Sequence, residues 1–325
     1  MPNAITSVRF QATGILQLYI VPATGTYLLA AAGAEGGGYG AAAGGKGALL
    51  RGYFHLRSGE ILHLIVGRQG QPGVSPGGEI QSPDSFLPAS PLLRGGGGGG
   101  GTFIWKGTQQ GTRPAWPLLA AGGGGGGGGN FAGGDGLVTP DALHHNEQSG
   151  RNGLGGASDA ATFYYTGGGG AGWLGPGASG AAPTYCQGGT QWEGGEGASF
   201  GGYMGGHGGY GGGGGGSFFG AGSGGGGGFS GGAGGGGRKG LPSGGGGSYN
   251  GGREPLNVPG YQRGDGFATI IALPSPLSLE TGTDGFEAMP LGKPETSSRP
   301  SFRFTESLTM RFLWQQHRGA SGLQS

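Results

Sequence analysis

A mainly β protein is predicted, in which an antiparallel sandwich or barrel is interrupted by a glycine-rich insert. Three observations predict it. Closely spaced alternating segments fill residues 5–68, a single well-formed strand stands at 265–273, and irregular glycine blocks occupy much of the distance between them.

The elements follow in chain order. Ser7–Ala12 alternates, as does Ile15–Val21, which places Leu16, Leu18 and Ile20 on one face. Thr26–Ala32 is an apolar run that ends in GAEGGGYG. Leu49–Leu56 and Ile61–Val66 are separated by the turn Arg57-Ser58-Gly59-Glu60. Residues 69–94 carry repeated Pro and Ser signals and read as a long surface loop. Thr102–Lys106 (TFIWK) and Trp116–Ala121 form a hairpin pair, each strand abutting a polyglycine block. From Gly122 to Gly252 the chain is glycine punctuated by single large residues such as Phe131, Trp173, Trp192, Tyr210, Phe229 and Tyr249. The last strand then runs from Asp265 to Leu273. This gives first strands at 1–68, an insert at 69–264 holding the hairpin 102–121, a closing strand at 265–273, and a linker-like, poorly ordered tail at 274–325.

Composition removes several classes. Glycine supplies 94 of 325 residues, near the level of fibrous chains, but without the every-third-residue spacing of collagen. The hydrophobic share of 34% and aromatic share of 10% exceed what a Gly/Ser tether carries, so a folded state is within reach. A net charge of +1 gives no electrostatic footprint for nucleic acid, and one RGG (Arg94-Gly95-Gly96) is too little for an RNA-binding tail. The lone Cys186 forbids an intrachain disulfide. The opening MPNAITSVRF lacks a secretory signal pattern, and no apolar run approaches the ~20 residues of a membrane helix.

Polyglycine can itself be a folded element. In a polyproline-II conformation each residue rises ~3.1 Å, with three residues per turn and the amides pointing outward. Several such rods laid side by side pair those groups with one another, each bond netting ~0.5–1.5 kcal/mol against glycine's entropy. A Cβ inside the bundle would hold the backbones apart. Interior positions must therefore be glycine, with large residues at edges and rod ends. The blocks Gly95–Gly101, Gly122–Gly129, Gly211–Gly216 and Gly224–Gly228 suit several short rods better than one tether.

The ordered series TGTYLLAAAGAEGG (24–37), GGKGA (44–48), GEILHLIVGRQG (59–70), RGGGGGGGTFIW (94–105) and PLLAAGGGGGGGG (117–129) resembles the glycine-rich domain of the anaplastic lymphoma kinase and leukocyte tyrosine kinase ectodomains. It is also similar to glycine-rich modules of bacterial and phage surface or tail proteins. The resemblance covers roughly residues 5–273. It implies a tumour-necrosis-factor-like β-sandwich interrupted by packed polyproline-II-type helices. It also implies a binding role: protein ligands in the receptors, host surface receptors in the adhesins. Catalysis does not carry over. No VAIK-like or HRD motif occurs, and residues 265–267 and 284–286 read DGF rather than DFG.

The functional expectation is a non-enzymatic extracellular recognition module at a cell or virion surface. It would engage a protein or cell-surface partner, with no cofactor, no metal and no catalytic residue. The alternatives are a ligand-binding receptor ectodomain fragment, placed at the plasma membrane, and a structural glycine-rich surface protein. Candidate anchors are the aromatics in breaks between glycine blocks, Trp173, Tyr185 and Trp192, together with Tyr164 and Tyr165 in TFYYT, which ends the long excursion 137–166. The same residues could instead cap or wedge rod ends. His144-His145 with Glu147 reads as a surface loop rather than a metal site, and His55 and His63 read as ordinary sheet residues. Cys186 has no basic neighbour in sequence to activate it.

Overall fold

The computed structural model describes residues 6–74, 94–107, 114–129, 131–142, 148–158, 166–180, 186–200, 203–217, 222–236 and 242–274. Chain contacts divide the protein into 1–276 and 277–325, and the second unit lies outside the described residues. Among the described residues there is no helix, and the strands form two five-stranded antiparallel sheets and one two-stranded hairpin, β8 (Ser199–Phe200) with β9 (Tyr203–Met204).

The first sheet has the order β1 (Thr6–Gln11), β12 (Phe267–Ala272), β3 (Gly25–Ala32), β4 (Gly47–Leu56), β11 (Arg253–Gln262). The second has the order β10 (Tyr249–Asn250), β7 (Leu119–Ala121), β6 (Thr102–Gly107), β5 (Ile61–Ile65), β2 (Gln17–Ile20). The closing strand reaches across the sequence to lie between β1 and β3, with Thr6 opposite Ala272 and Ala32 opposite Phe267. Alternation decides which side chains meet. Tyr27, Leu29 and Ala31 of β3, Leu50, Phe54 and Leu56 of β4, and Ala268 and Ile270 of β12 turn inward. They meet Leu62 and Leu64 of β5, Ile104 of β6, and Leu119 and Ala121 of β7 from the facing sheet. Of the two architectures the spacing allowed, the two packed sheets select the sandwich.

The hairpin expected at 102–121 is present, with Thr102 paired to Ala121. Two further strands of the sandwich lie inside the span expected to be insert. β10 borders β7, and the ten-residue β11 borders β4. β11 reads REPLNVPGYQ, and its two prolines demote it as a strand in sequence. It is an edge strand with register shifts on either side of Leu256–Val258, which is where prolines are tolerated.

The glycine blocks pack laterally with a three-residue repeat. In the segment Gly122–Gly127 the amides of Gly123 and Gly126 donate to Gly227 O and Gly224 O, and those of Gly124 and Gly127 to Ala34 O and Gly37 O. Gly125 donates to Gly134 O, and Gly122 to Ser248 Oγ. The carbonyls are used as fully. Gly122 O and Gly125 O accept from Ala48 and Gly45, and Gly124 O and Gly127 O from Gly99 and Gly96. Gly123 O accepts from Gly246, and Gly126 O from the Ser243 hydroxyl. Donors and acceptors together reach six surrounding segments, and five of the six recur three residues on. Gly96–Gly101 and Gly224–Gly228 are likewise bonded on all sides, and these two segments and Gly122–Gly127 bond to one another.

This packing explains the composition. A Cβ on Gly124 would overlap the carbonyl of Gly45, one on Gly123 that of Gly99, and one on Gly122 that of Gly246. The Cα–H there points at that carbonyl instead, a contact worth ~0.5–1 kcal/mol each. Serine is admitted where its hydroxyl substitutes for a backbone group. Ser248 Oγ accepts from Gly122 N–H and donates to Leu137 O, while Ser230 and Ser149 accept from Gly153 and Ala233.

Candidate functional site

The segments run alternately toward and away from the sandwich, so the bundle has two unlike ends. The proximal end is marked by the residues next to the strands. Gly101, which precedes β6, donates to Gly211 O, and Phe229 donates to Gly247 O just before β10. Reversals here are tight. Gly172 N–H donates to Gly175 O, Thr190 N–H to Glu193 O, and Gly213 N–H to Gly209 O. The last turn needs φ of 102° and 90° at Gly211 and Gly212, the left-handed region where a side chain is strained.

Aromatic side chains fasten this end to the outer face of the second sheet. Ile65, Phe103, Trp105 and Ala120 of that face pack with Trp173 and Phe229, and Trp192, Tyr210 and Tyr249 lie partly buried against them. Trp192 stacks on Trp105 at 5.4 Å and 11°, and Trp173 meets Trp105 edge-on at 5.6 Å. The Trp173 indole N–H donates to the carbonyls of Pro114 and Ala115, which ties the segment leading into β7 to the bundle. Trp116 is 58% exposed and stacks on Phe229 at 5.4 Å. Burial and the neighbouring Glu193 raise the Tyr210 pKa against an opposing pull from Arg68. His63, opposite Trp105 in the ladder, is buried, and its ring nitrogens bond to no described residue.

The distal end differs. Gly95, at the far end of its segment, pairs with Gly128 and donates to Ser217 O, and Ser217 donates to Gly222 O. Val74 pairs with Met204, and Thr166 with Gly236. The Ser158 and Thr166 hydroxyls are 3.0 Å apart, and Gly180 donates to Cys186 O. These residues bound the connections 75–93, 159–165, 181–185, 218–221 and 237–241, which lie outside the described residues. Arg94 is buried in this rim, with Nη1 3.0 Å from the Tyr39 hydroxyl and its guanidinium over the Tyr39 ring.

The five candidate anchors therefore separate. Trp173 is fully buried in the proximal cluster and fills the wedge position of the two roles open to it; Trp192 is half-buried beside it. Tyr164, Tyr165 and Tyr185 lie outside the described residues, in connections whose flanks are distal. The 137–166 excursion is in large part bundle, since Gly156 donates to Gly170 O and Ala157 to Gln148 O. His144, His145 and Glu147 also lie outside the described residues. Sequence reading missed Trp116 and the joining role of Phe103 and Trp105. The alternation of TFIWK, with Ile104 inward and its neighbours outward, carried the signal.

Two other features complete the chemistry. Cys186 is buried with Sγ 2.8 Å from Thr166 O, and desolvation pushes its pKa up to about 11. An open groove of about 410 Å³ is lined by Glu35, Lys46, Asp135 and Arg263 among others. Its carboxylates already serve the backbone: Glu35 accepts from Gly264 N–H and Asp135 from Lys46 N–H. Among the described residues no group of His, Cys, Asp and Glu could hold a metal ion, and no helix is long and apolar enough to cross a membrane. No protein-family model matches the chain, and no curated protein matches it.

Proposed function

We propose that this chain is a non-enzymatic recognition module of a cell or virion surface that binds a protein or cell-surface partner through the distal end of its glycine bundle. The observation that carries this reading is the asymmetry of the two ends. Proximal reversals are tight turns locked to the sheet by stacked aromatics, whereas the distal end, beside tight turns at Tyr39–Ala42 and Gly128–Phe131, carries the connections 75–93, 159–165 and 181–185, which include Tyr164, Tyr165 and Tyr185. A laterally bonded bundle holds the flanks of those connections fixed before a partner arrives, which lowers the ordering cost of binding. The non-enzymatic reading is supported by Cys186, kept as a neutral thiol, and by carboxylates engaged with backbone amides.

The finer fold reading belongs here as well. The three-residue repeat of partners supports polyproline-II-type rods. The five-on-five sandwich, closed by a strand from beyond the insert, supports the tumour-necrosis-factor-like topology of the glycine-rich receptor and adhesin domains.

The test is retention of the full chain on intact cells and isolated envelopes of candidate hosts, comparing the wild type with a Tyr164→Ser, Tyr165→Ser, Tyr185→Ser variant. Loss of aromatic anchors is expected to weaken retention at least about tenfold with unchanged melting. Equal retention by the triple variant overturns the distal assignment.

A further inference from the structure

The sandwich has four sheet edges, and three of them are blunted. β11 carries Arg253, Glu254, two prolines and register shifts. β10 is two residues long. β1 carries Arg9, whose guanidinium lies 4.1 Å over the Phe267 ring. These are the usual protections against pairing with another chain.

The fourth edge, β2, has none of them. No Asp, Glu, Lys or Arg occurs from Phe10 to Ala34. Ile15, Leu16, Leu18 and Ile20 are 64%, 41%, 57% and 65% exposed. Leu18 stands opposite His63, and Ile20 opposite Ile61, so both lie on the outer face of the second sheet. Val21 N–H donates to Glu60 O, and the alternation of an antiparallel ladder carries that phase back along the strand. Gln17 and Tyr19 therefore bond to β5, while Leu18 and Ile20 turn their amides to the open side.

We propose that β2 pairs antiparallel with β2 of a second copy of this chain, on a two-fold axis at Leu18. The strand is self-complementary in that register. Leu16 faces Ile20 of the other copy and Leu18 faces Leu18 on the outer side, while Gln17 faces Tyr19 on the inner side. The neutral seam brings no like charges together, a match that an arbitrary partner strand does not guarantee. Two five-stranded sheets become one. Four aliphatic side chains per copy cover less than the ~800 Å² per partner of a standard interface, so the dimer belongs to the weak class.

Sedimentation velocity of the full chain from about 5 µM to about 500 µM tests this. A monomer–dimer equilibrium is expected, abolished by Leu18→Lys and unaffected by Leu256→Lys on the protected edge β11. Leu18→Cys is expected to give a disulfide-linked dimer under mild oxidation, because directly paired Cα atoms are ~5.5 Å apart. A monomer at every concentration, a trimer, or a dimer that survives Leu18→Lys with the wild-type constant overturns it.

Discussion

The sandwich and the bundle solve the same problem with opposite means. Between the sheets, interior positions are filled by Leu29, Leu50, Leu62, Leu64 and Ile104, each stabilising by ~1.5–3 kcal/mol through apolar burial. In the bundle the interior holds almost no side chains. Its backbones bond to six neighbours at once, each bond netting ~0.5–1.5 kcal/mol, and no amide or carbonyl of Gly122–Gly127 is left over. A sandwich core tolerates a changed volume at a cost set by how far it relaxes. The bundle interior has no volume to give, because the space a Cβ needs is occupied by a neighbouring segment's carbonyl. Side-chain identity specifies one region; the absence of side chains specifies the other.

The largest expected effect breaks that comparison at its sharpest point. Gly124→Ala puts a methyl into the Gly45 carbonyl, so both segments must separate along with their shared neighbours. A loss of more than ~4 kcal/mol, in the exceptional class for a single methyl, is expected in chemical denaturation. An effect near 1 kcal/mol would mean the segments are loosely held.

Trp173→Ala tests the joint between the two regions. It removes the edge-on and tilted ring contacts with Trp105, Phe103 and Trp192 and the bonds to the Pro114 and Ala115 carbonyls. A cost of ~3–5 kcal/mol is expected, and amide exchange should rise at the proximal turns before it rises in β3 and β4.

Cys186 gives a pH readout of the bundle alone. Its pKa is raised in the fold, so the unfolded chain ionises first as pH rises. Stability is full below about pH 9 and falls toward about pH 11, by ~3 kcal/mol if the whole shift is expressed. Thermal melts at pH 8 and pH 11 on wild type and Cys186→Ala check the sign, since the variant should lack this component. A thiol reagent at pH 8 should label Cys186 only after unfolding.

The smallest effect sharpens the contrast. Gly25→Ala adds the same methyl at the head of β3, where nothing lies within 4 Å. A change within ~0.5–1 kcal/mol is expected, with stabilisation from the stiffer unfolded chain the favoured sign.

Much of this was legible in the residues. Alternation in Ser7–Ala12 and Ile15–Val21, and the short apolar runs Thr26–Ala32 and Asp265–Leu273, gave strands within a few positions of those observed, because both patterns are local signals. β11 was hidden because Pro255 and Pro259 argue against a strand until its edge position is known. The division between proximal and distal aromatics was not legible either. Trp173 and Tyr185 sit in similar glycine contexts, and only the direction of each segment decides which end a break occupies. The self-complementary edge was visible as Leu16, Leu18 and Ile20 on one face, but its exposure depends on β2 being outermost in its sheet.

Native-state amide hydrogen exchange, compared between Gly123–Gly127 and β3–β4, tests the lateral bonding most directly. Gly123–Gly127 lie at the centre of six neighbours and should exchange as slowly as Leu29 or Leu50, at rates set by global unfolding. Exchange of these glycine amides at unstructured-chain rates, while β3 and β4 remain protected, would contradict it.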